Sequence, residues 1–456
     1  MKYSVIQKSE MSRYDFGHDL LSPDFFLPDK VEMWDALKRT SVRTLSNYFD
    51  CIDDTRNSCD GEVICYDLTD GLPKFFDGGK NTSYIGSTKK NALLGDFAIS
   101  RLRSYLGEMG MVEERNAPQL FSSEFIILRA KGENLSTHTL FALCMTDTVQ
   151  KILDRSQYGT EHPRFYEFIL QELPIPNVLL TLNPVIIQIV QKALQARDSA
   201  REMHKDVVEL VGHELGLNSI PANDRIIYQK NYTQTFTQGR IDAEYFTPWY
   251  EELIEIVQSY HGGWSFVGDI CCVNGENFQP QEDGVYSYIQ ISNIFRGGEI
   301  AGYITEFGQN LPSRARRKVG VGDVIVSTVE GSLSRIALIS EEYDQYLCST
   351  GFQVIRSNEI NPETLYAIMA SPVGQLQLKR GCSGTNLTAI NADEFSKIVL
   401  PHITEDKQRE IQCKVSKCLE LRKASRYLLQ CAKEMVEIAI TEGETSAMDW
   451  LNNQGM

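Results

Sequence analysis

With 456 residues, the chain has room for about three domains at roughly 150 residues each. A content of 42% hydrophobic and 23% charged residues excludes a collagen, a disordered chain or a disulfide scaffold. The net charge of -16, from 61 acidic against 45 basic residues, argues against a uniformly basic nucleic-acid binder, but a basic face on an otherwise acidic surface is compatible with it.

The start, Met1 to Ser12, is polar and has no apolar signal core. The apolar stretch 165–190 is broken by Glu167, Glu172 and three prolines, short of the 18 or so apolar residues that span a bilayer. The expectation is a cytoplasmic chain with no membrane segment. Eleven cysteines are scattered without a CxxC pair, so reduced thiols and no metal site are expected. His213-Glu214 lacks the second histidine of a metalloprotease helix.

Short β-rich runs alternate with turn-forming Gly, Asn and Asp: Val63 to Tyr66, Phe97 to Ser100 and Phe125 to Leu128, then Tyr286 to Ile291, Val324 to Ser327 and Phe352 to Ile355. Helical stretches Thr137 to Asp154 and Pro362 to Leu378 intervene. Shifting the sequence by 227 residues pairs Arg13 and Asp15 with Arg240 and Asp242, and Gly95-Asp96 with Gly322-Asp323. It also pairs Ser122, Phe125 and Arg129 with Ser349, Phe352 and Arg356, and Leu173-Pro174 with Leu400-Pro401. One register held over so long a span reads as an internal duplication.

A long helix follows each half. Asn183-Pro184 has the look of a helix start, Asn as N-cap and Pro at the first position, and Gly212 and Gly216 of a stop. Ile186, Ile189, Ala193, Ala196, Ala200, Met203, Val207 and Leu210 alternate by three and four, a coiled-coil seam. Thr404 is placed to cap the second helix. Cys418, Leu421, Ser425, Leu428, Ala432, Met435 and Ala439 repeat the alternation before Gly443. The fold class expected is α+β: two mixed α/β domains related by internal duplication, separated by a long antiparallel two-helix coiled coil.

Catalytic motifs are missing. No two prolines are adjacent, which removes the [DNS]PP[YFW] motif of amino-methyltransferases. Gly79-Lys80 has Lys74 where a P-loop needs its first glycine and Asn81 after it. Glu405-Asp406-Lys407, the one acid-x-Lys triplet, opens a helix, where acids complement the dipole. No catalytic residue, cofactor or metal is expected on this chain.

Basic and polar groups recur instead at equivalent places. Lys89 and Lys90 precede the first Gly-Asp; Arg314, Arg316, Arg317 and Lys318 precede the second. After the next strand come Arg101, Arg103 and Tyr105, answered by Thr328, Glu330, Ser332 and Arg335. A third cluster is Lys379, Arg380, Ser383, Thr385 and Asn386, with Arg155, Gln157, Thr160 and Arg164 as counterparts. Arginine reads guanine in the major groove, while Lys, Ser and Thr hold phosphate oxygens. These are the candidate DNA-binding residues.

The segment Gly322-Asp323-Val324-Ile325-Val326-Ser327, the strand Ser349-Thr350-Gly351-Phe352 and the turn Ser383-Gly384-Thr385 resemble specificity (S) subunits of type I restriction-modification systems. So do Leu400-Pro401 running into a long helix and the opening Arg240-Ile241-Asp242-Ala243-Glu244-Tyr245-Phe246. The first half departs from the pattern: Glu124 stands for the glycine before Phe125, and Glu161-His162-Pro163 follows Gly159-Thr160.

The resemblance implies target recognition domains at 1–178 and 219–402, spacer helices at 179–218 and 403–442, and a tail at 443–456. It implies a non-enzymatic subunit that binds a bipartite double-stranded DNA target. Two methyltransferase (modification) subunits, which carry S-adenosylmethionine, would dock on the spacer helices, and restriction or translocase subunits would join them. The alternative is a protein-binding scaffold of a defence complex that has lost DNA recognition.

Overall fold

The computed structural model describes residues 7–18, 23–72, 74–76, 78–132, 134–217, 227–295, 297–384 and 388–455. The chain forms two compact units, Met1–Ala196 with Lys423–Met456, and Arg197–Arg422.

In the first unit, a four-stranded antiparallel sheet runs in the order Phe49–Ile52, Phe125–Ala130, Phe97–Ser100, Met109–Met111. A second sheet has the order Thr55–Arg56, Lys89–Ala92, Gln119–Ser122, Val63–Tyr66, Lys80–Thr82, with Val63–Tyr66 and Gln119–Ser122 parallel. The second unit repeats this grammar. Its four-stranded sheet has the order Cys271–Asn274, Phe352–Ser357, Val324–Ser327, Ile336–Leu338. Its other sheet orders Ala315–Lys318, Leu347–Ser349, Val285–Ile289, Ile304–Phe307, again with a parallel central pair. The strands fall where their β-branched and aromatic runs predict, and the central ones are buried on both faces, as in Phe97–Ser100 and Val324–Ser327.

The Gly-Asp motif is a turn staple. Gly95 and Gly322 both have φ +85°, which a side chain adopts only with strain. Asp96 accepts from the Leu93 amide at 2.8 Å, and Asp323 from the Gly320 amide at 2.7 Å. Each aspartate then pairs with an arginine of the neighbouring strand, Arg129 at 2.8 Å and Arg356 at 2.8 Å. These residues recur at a fixed spacing because in both units the turn carries the chain from one sheet to the other.

Each expected helical stretch is two helices. Thr137–Met145 and Asp147–Asp154 break at Thr146, whose hydroxyl caps the second by accepting from the Val149 amide. Pro362–Ala370 and Pro372–Gly381 break at Ser371, held extended before Pro372.

The first long helix is Val178–Glu214 and contains Pro184. It starts before the expected Asn183 because Leu179 and Leu182, both buried, already face the first unit's core. Asn183, 6% exposed, serves another helix. Its side-chain Oδ1 accepts from the Ser136 amide at 3.1 Å and the Thr139 hydroxyl at 2.6 Å. By length and composition alone, this helix is apolar enough over one window to cross a bilayer, but buried core helices pass the same test. The second long helix is Glu405–Glu442. Thr404 sits at its N-cap position, its carbonyl accepting from the Gln408 amide at 2.8 Å, and Gly443, φ +97°, follows its end.

The long helices pack together within each unit. In the first, the Ser425 hydroxyl donates to the Ala193 carbonyl at 2.7 Å, and Ile186, Ile189, Val190, Leu429, Ala432, Met435 and Ala439 share the core. In the second, the Cys418 thiol reaches the Ala200 carbonyl at 3.2 Å and Lys414 faces Asp206 at 4.0 Å, an antiparallel register. Ala193, Ala200, Cys418 and Ser425 are small, so the backbones come close enough for a side chain to reach a carbonyl across the interface. Most of the expected seam is buried: Ile186, Ile189, Ala193, Ala200, Cys418, Ser425, Ala432, Met435 and Ala439. Val190, Arg197, Val211, Arg422 and Leu429 are buried, whereas Ala196, Met203, Leu210, Leu421 and Leu428 are half-buried flanks; Val207 is buried as expected.

Candidate nucleic-acid interface

In the second unit, backbone hydrogen bonds draw the basic and polar clusters together. The strand Ala315–Lys318 pairs with Leu347–Ser349, and the Thr350 amide donates to the Arg314 carbonyl at 2.8 Å. One residue on, the Thr328 amide and hydroxyl both donate to the Gly351 carbonyl at 2.9 Å. The loop after Val324–Ser327 is tied in turn to the Ser383 turn: the Glu330 amide donates to the Thr388 carbonyl at 3.0 Å and the Ile390 amide to the Thr328 carbonyl at 2.9 Å. A basic strand and two polar loops thus form one contiguous surface.

Its cations are not held by carboxylates. Among the described residues, Arg314, Arg316, Arg317 and Lys318 have no carboxylate within ion-pair distance. Arg314 and Lys318 are exposed. Arg316 donates only to the Ala315 carbonyl at 3.1 Å, and Lys318 lies 5.6 Å from the Phe278 ring centroid. Arg317 keeps its Nε and Nη1 buried without a hydrogen-bond partner.

The other candidates in this unit are more tied down. Ser332 bonds Ser327 at 2.8 Å. Arg335 donates to the Ile294 carbonyl at 2.5 Å and lies 5.6 Å from the Phe295 ring, so it also braces its own loop. Lys379 faces Glu244 at 3.5 Å. Arg380 donates to the Tyr245 carbonyl at 3.1 Å and lies 4.2 Å from that ring, and Arg240 lies 4.6 Å from the same ring. Arg240 also reaches the carbonyls of Gly381 at 3.3 Å and Cys382 at 2.9 Å. The residues Arg240 and Tyr245, seen in the sequence only as a motif, therefore anchor the turn that carries exposed Ser383. Thr385 and Asn386 lie outside the described residues.

The first unit is built differently at the equivalent places. Lys89 and Lys90 are 7% and 8% exposed; Lys89 pairs with Asp67, and Lys90 with Asp53 at 3.5 Å. Arg101 binds Glu124 at 3.0 Å and Glu167 at 2.8 Å. Arg164 grips Glu124 with two bonds, 2.9 and 2.7 Å. Arg164 first, and Arg101 with it, hold the Glu124 carboxyl below the usual carboxylate range. Arg155 binds Asp29 at 3.3 Å, and Gln157 bonds Ser104 at 2.5 Å. Arg103 adopts φ +50° ahead of a short turn, and Tyr105 is 61% exposed. Sequence reasoning finds the cations but not their partners, because the carboxylates come from loops and helices distant in the chain.

No protein-family model and no curated protein matches the chain. Solved structures are similar to it. One is a chain from work on complex assembly and conformational transition of the type I R-M system, 14% identical, covering 90% of this chain and 97% of that one, TM-score 0.30. Another is the HsdS subunit from Thermoanaerobacter tengcongensis, 15% identical, covering 90% and 96%, TM-score 0.29. A third is the S subunit of a type I restriction-modification system from M. genitalium, 12% identical, covering 87% and 94%, TM-score 0.39.

Proposed function

We propose that the chain is a non-catalytic DNA-recognition subunit. It binds a bipartite double-stranded target, one half-site per unit, and directs adenine methylation, with restriction, by cytoplasmic partner subunits of a type I restriction-modification or related defence complex. The observation that carries the reading is the second unit's contiguous surface, where four cations without carboxylate partners adjoin two polar loops. Unpaired cations beside hydrogen-bonding loops suit phosphate contact plus base readout. The same sheet orders in both units support an internal duplication, hence two half-sites. The paired long helices support a coiled-coil separator on which two methyltransferase subunits, holding S-adenosylmethionine, would dock. The net charge of -16 leaves acidic surface for such partners.

A second reading, a protein-binding scaffold, draws on the first unit, whose equivalent cations are neutralised by carboxylates. The test is binding of the assembled complex to duplex DNA over a range of salt. A linear fall of log K with log salt supports recognition, and binding that ignores salt supports the scaffold. Methylome sequencing of a host carrying the locus would then read the target.

A further inference from the structure

The first unit carries a four-charge network that the second lacks, and backbone bonds fix which residues correspond. The Arg101 amide donates to the Glu124 carbonyl at 3.0 Å, as the Thr328 amide does to Gly351 at 2.9 Å. The Phe165 amide donates to the Arg101 carbonyl at 3.0 Å, as Ile390 does to Thr328 at 2.9 Å. Leu102 bridges Arg164 where Val329 bridges Ala389. Glu167 opens the next short helix, as Ala392 does in the second unit. Arg101, Glu124, Arg164 and Glu167 thus stand where the second unit has Thr328, Gly351, Ala389 and Ala392. Four charges summing to zero correspond to four small uncharged residues.

All three Arg164 side-chain nitrogens are engaged: Nε and Nη2 bind Glu124, and Nη1 donates to the His162 carbonyl at 3.0 Å. Arg101 spends Nε on Glu124 and Nη1 on Glu167. A carboxylate presents the same pair of oxygens to a guanidinium fork as a phosphate does. Glu124, with only 18% of its side chain exposed, holds that place without the entropy cost of association.

We propose that Glu124 determines how the first unit engages its half-site: it keeps Arg101 and Arg164 on the protein, so that neither reaches the DNA backbone. This rests on the DNA-recognition reading above. The first unit then engages its half-site without these two arginines, and the second supplies more of the electrostatic part.

The experiment measures log K against log salt for the assembled methyltransferase complex on its target duplex. E124A is expected to free Arg164 and steepen the slope by about 0.9, and E124A/E167A to free Arg101 as well, for about 1.8 in all. Adding R164A to E124A should restore the wild-type slope. In the unaltered background, R101A/R164A should leave the slope where it was. A slope unmoved by E124A at a wild-type melting temperature overturns the proposal, and so does a shallower slope in R101A/R164A. E124Q keeps the side chain's size and one acceptor; loss of the fold in both E124A and E124Q assigns the network to stability and equally overturns it. A wild-type complex that binds with no salt dependence would fail the recognition reading itself, before any variant is compared.

Discussion

Arg197 and Glu299, each 4% exposed, form an ion pair inside the second unit. The arginine comes from the first long helix and the glutamate from the turn after Gly297-Gly298. Both glycines have positive φ, +86° and +82°, and a Cβ on Gly298 would sit 2.3 Å from the Tyr366 hydroxyl. Tyr366 donates to the Gly297 carbonyl at 2.5 Å and meets His204 at 3.3 Å. Burial, with Arg422 adding repulsion, pushes the His204 imidazole down to about 4, so it is neutral at pH 7. The turn is locked onto the helix by a buried ion pair, with the Arg422 guanidinium buried beside it.

Breaking that pair from one side leaves a buried charge. Arg197→Met should lower unfolding stability of the second unit by about 3–5 kcal/mol, while Arg197→Met with Glu299→Met should recover most of the loss. Urea unfolding of both variants checks this. Equal losses in the single and double variants would mean the helix needs the arginine for packing, not for its charge.

Glu108 predicts a pH dependence for the first unit. It is 3% exposed, and burial pushes its carboxyl up to about 7, partly offset by backbone amides of Thr69 and Gly71 and by Ser100, with Asp70 adding repulsion. Lys74 is the cation beside it. A raised acid holds its proton in the folded state after the unfolded chain has released it near 4.5. Stability from this group is therefore lost as pH rises between about 4.5 and 7, by up to about 3 kcal/mol. Glu108→Gln should raise the melting temperature relative to wild type at pH 8 and leave it unchanged at pH 4.5. A gain of the same size at both values would contradict the protonation account.

The strand Ala315–Lys318 and the residue before it should supply much of the salt dependence. Replacing Arg314, Arg316, Arg317 and Lys318 by alanine should weaken the assembled complex on every sequence and flatten the salt slope by up to about 3.6, at about 0.9 per phosphate contact. Filter binding at several salt concentrations decides it. An unchanged slope would remove this strand from the interface.

Thr328 and Arg335 lie on the loop beside that strand, and their replacement should relax one half-site only. Each good bidentate base contact discriminates by about 1–3 kcal/mol. Selection from a randomised duplex library would expose the change. Because Arg335 also braces Ile294 and Phe295, equal weakening at both half-sites would mark it as a positioning residue.

What was legible in the sequence follows from the range of the interaction. Strand positions and the Gly-Asp turns depend on local pattern, so Phe97–Ser100 and Val324–Ser327 form where expected. Asn183-Pro184 misleads because burial of Leu179 and Leu182 outweighs the local start signal. The helix interface also takes in Arg197 and Arg422, which apolar periodicity passes over, while Ala196, Met203, Leu210, Leu421 and Leu428 stay half-buried. Lys89, Lys90, Arg101 and Arg164 read as a basic face, but their partners Asp67, Asp53, Glu124 and Glu167 come from other segments. Pairing between segments distant in the chain decides whether a cation is available, and composition holds no trace of it.

The last prediction treats the long helices as a ruler between half-sites. A seam of about 28 residues spans roughly 42 Å at 1.5 Å per residue. Cys418 faces Ala200 at 3.2 Å, so matching insertions belong after Ala200 and after Lys417. Adding four residues at each point, near one helical turn, should lengthen the separator by about 6 Å, or one to two base pairs at roughly 3.4 Å each. Recognition within each half-site should be unchanged, because no strand or loop of either recognition surface is altered. If the helices serve only to fill the cores they pack in, the insertions should instead cause misfolding or leave the preferred spacing as it was. Selecting sites for the insertion variant from a randomised duplex library, with the methyltransferase partner present, separates the two: an active complex that still prefers the wild-type gap would refute the ruler.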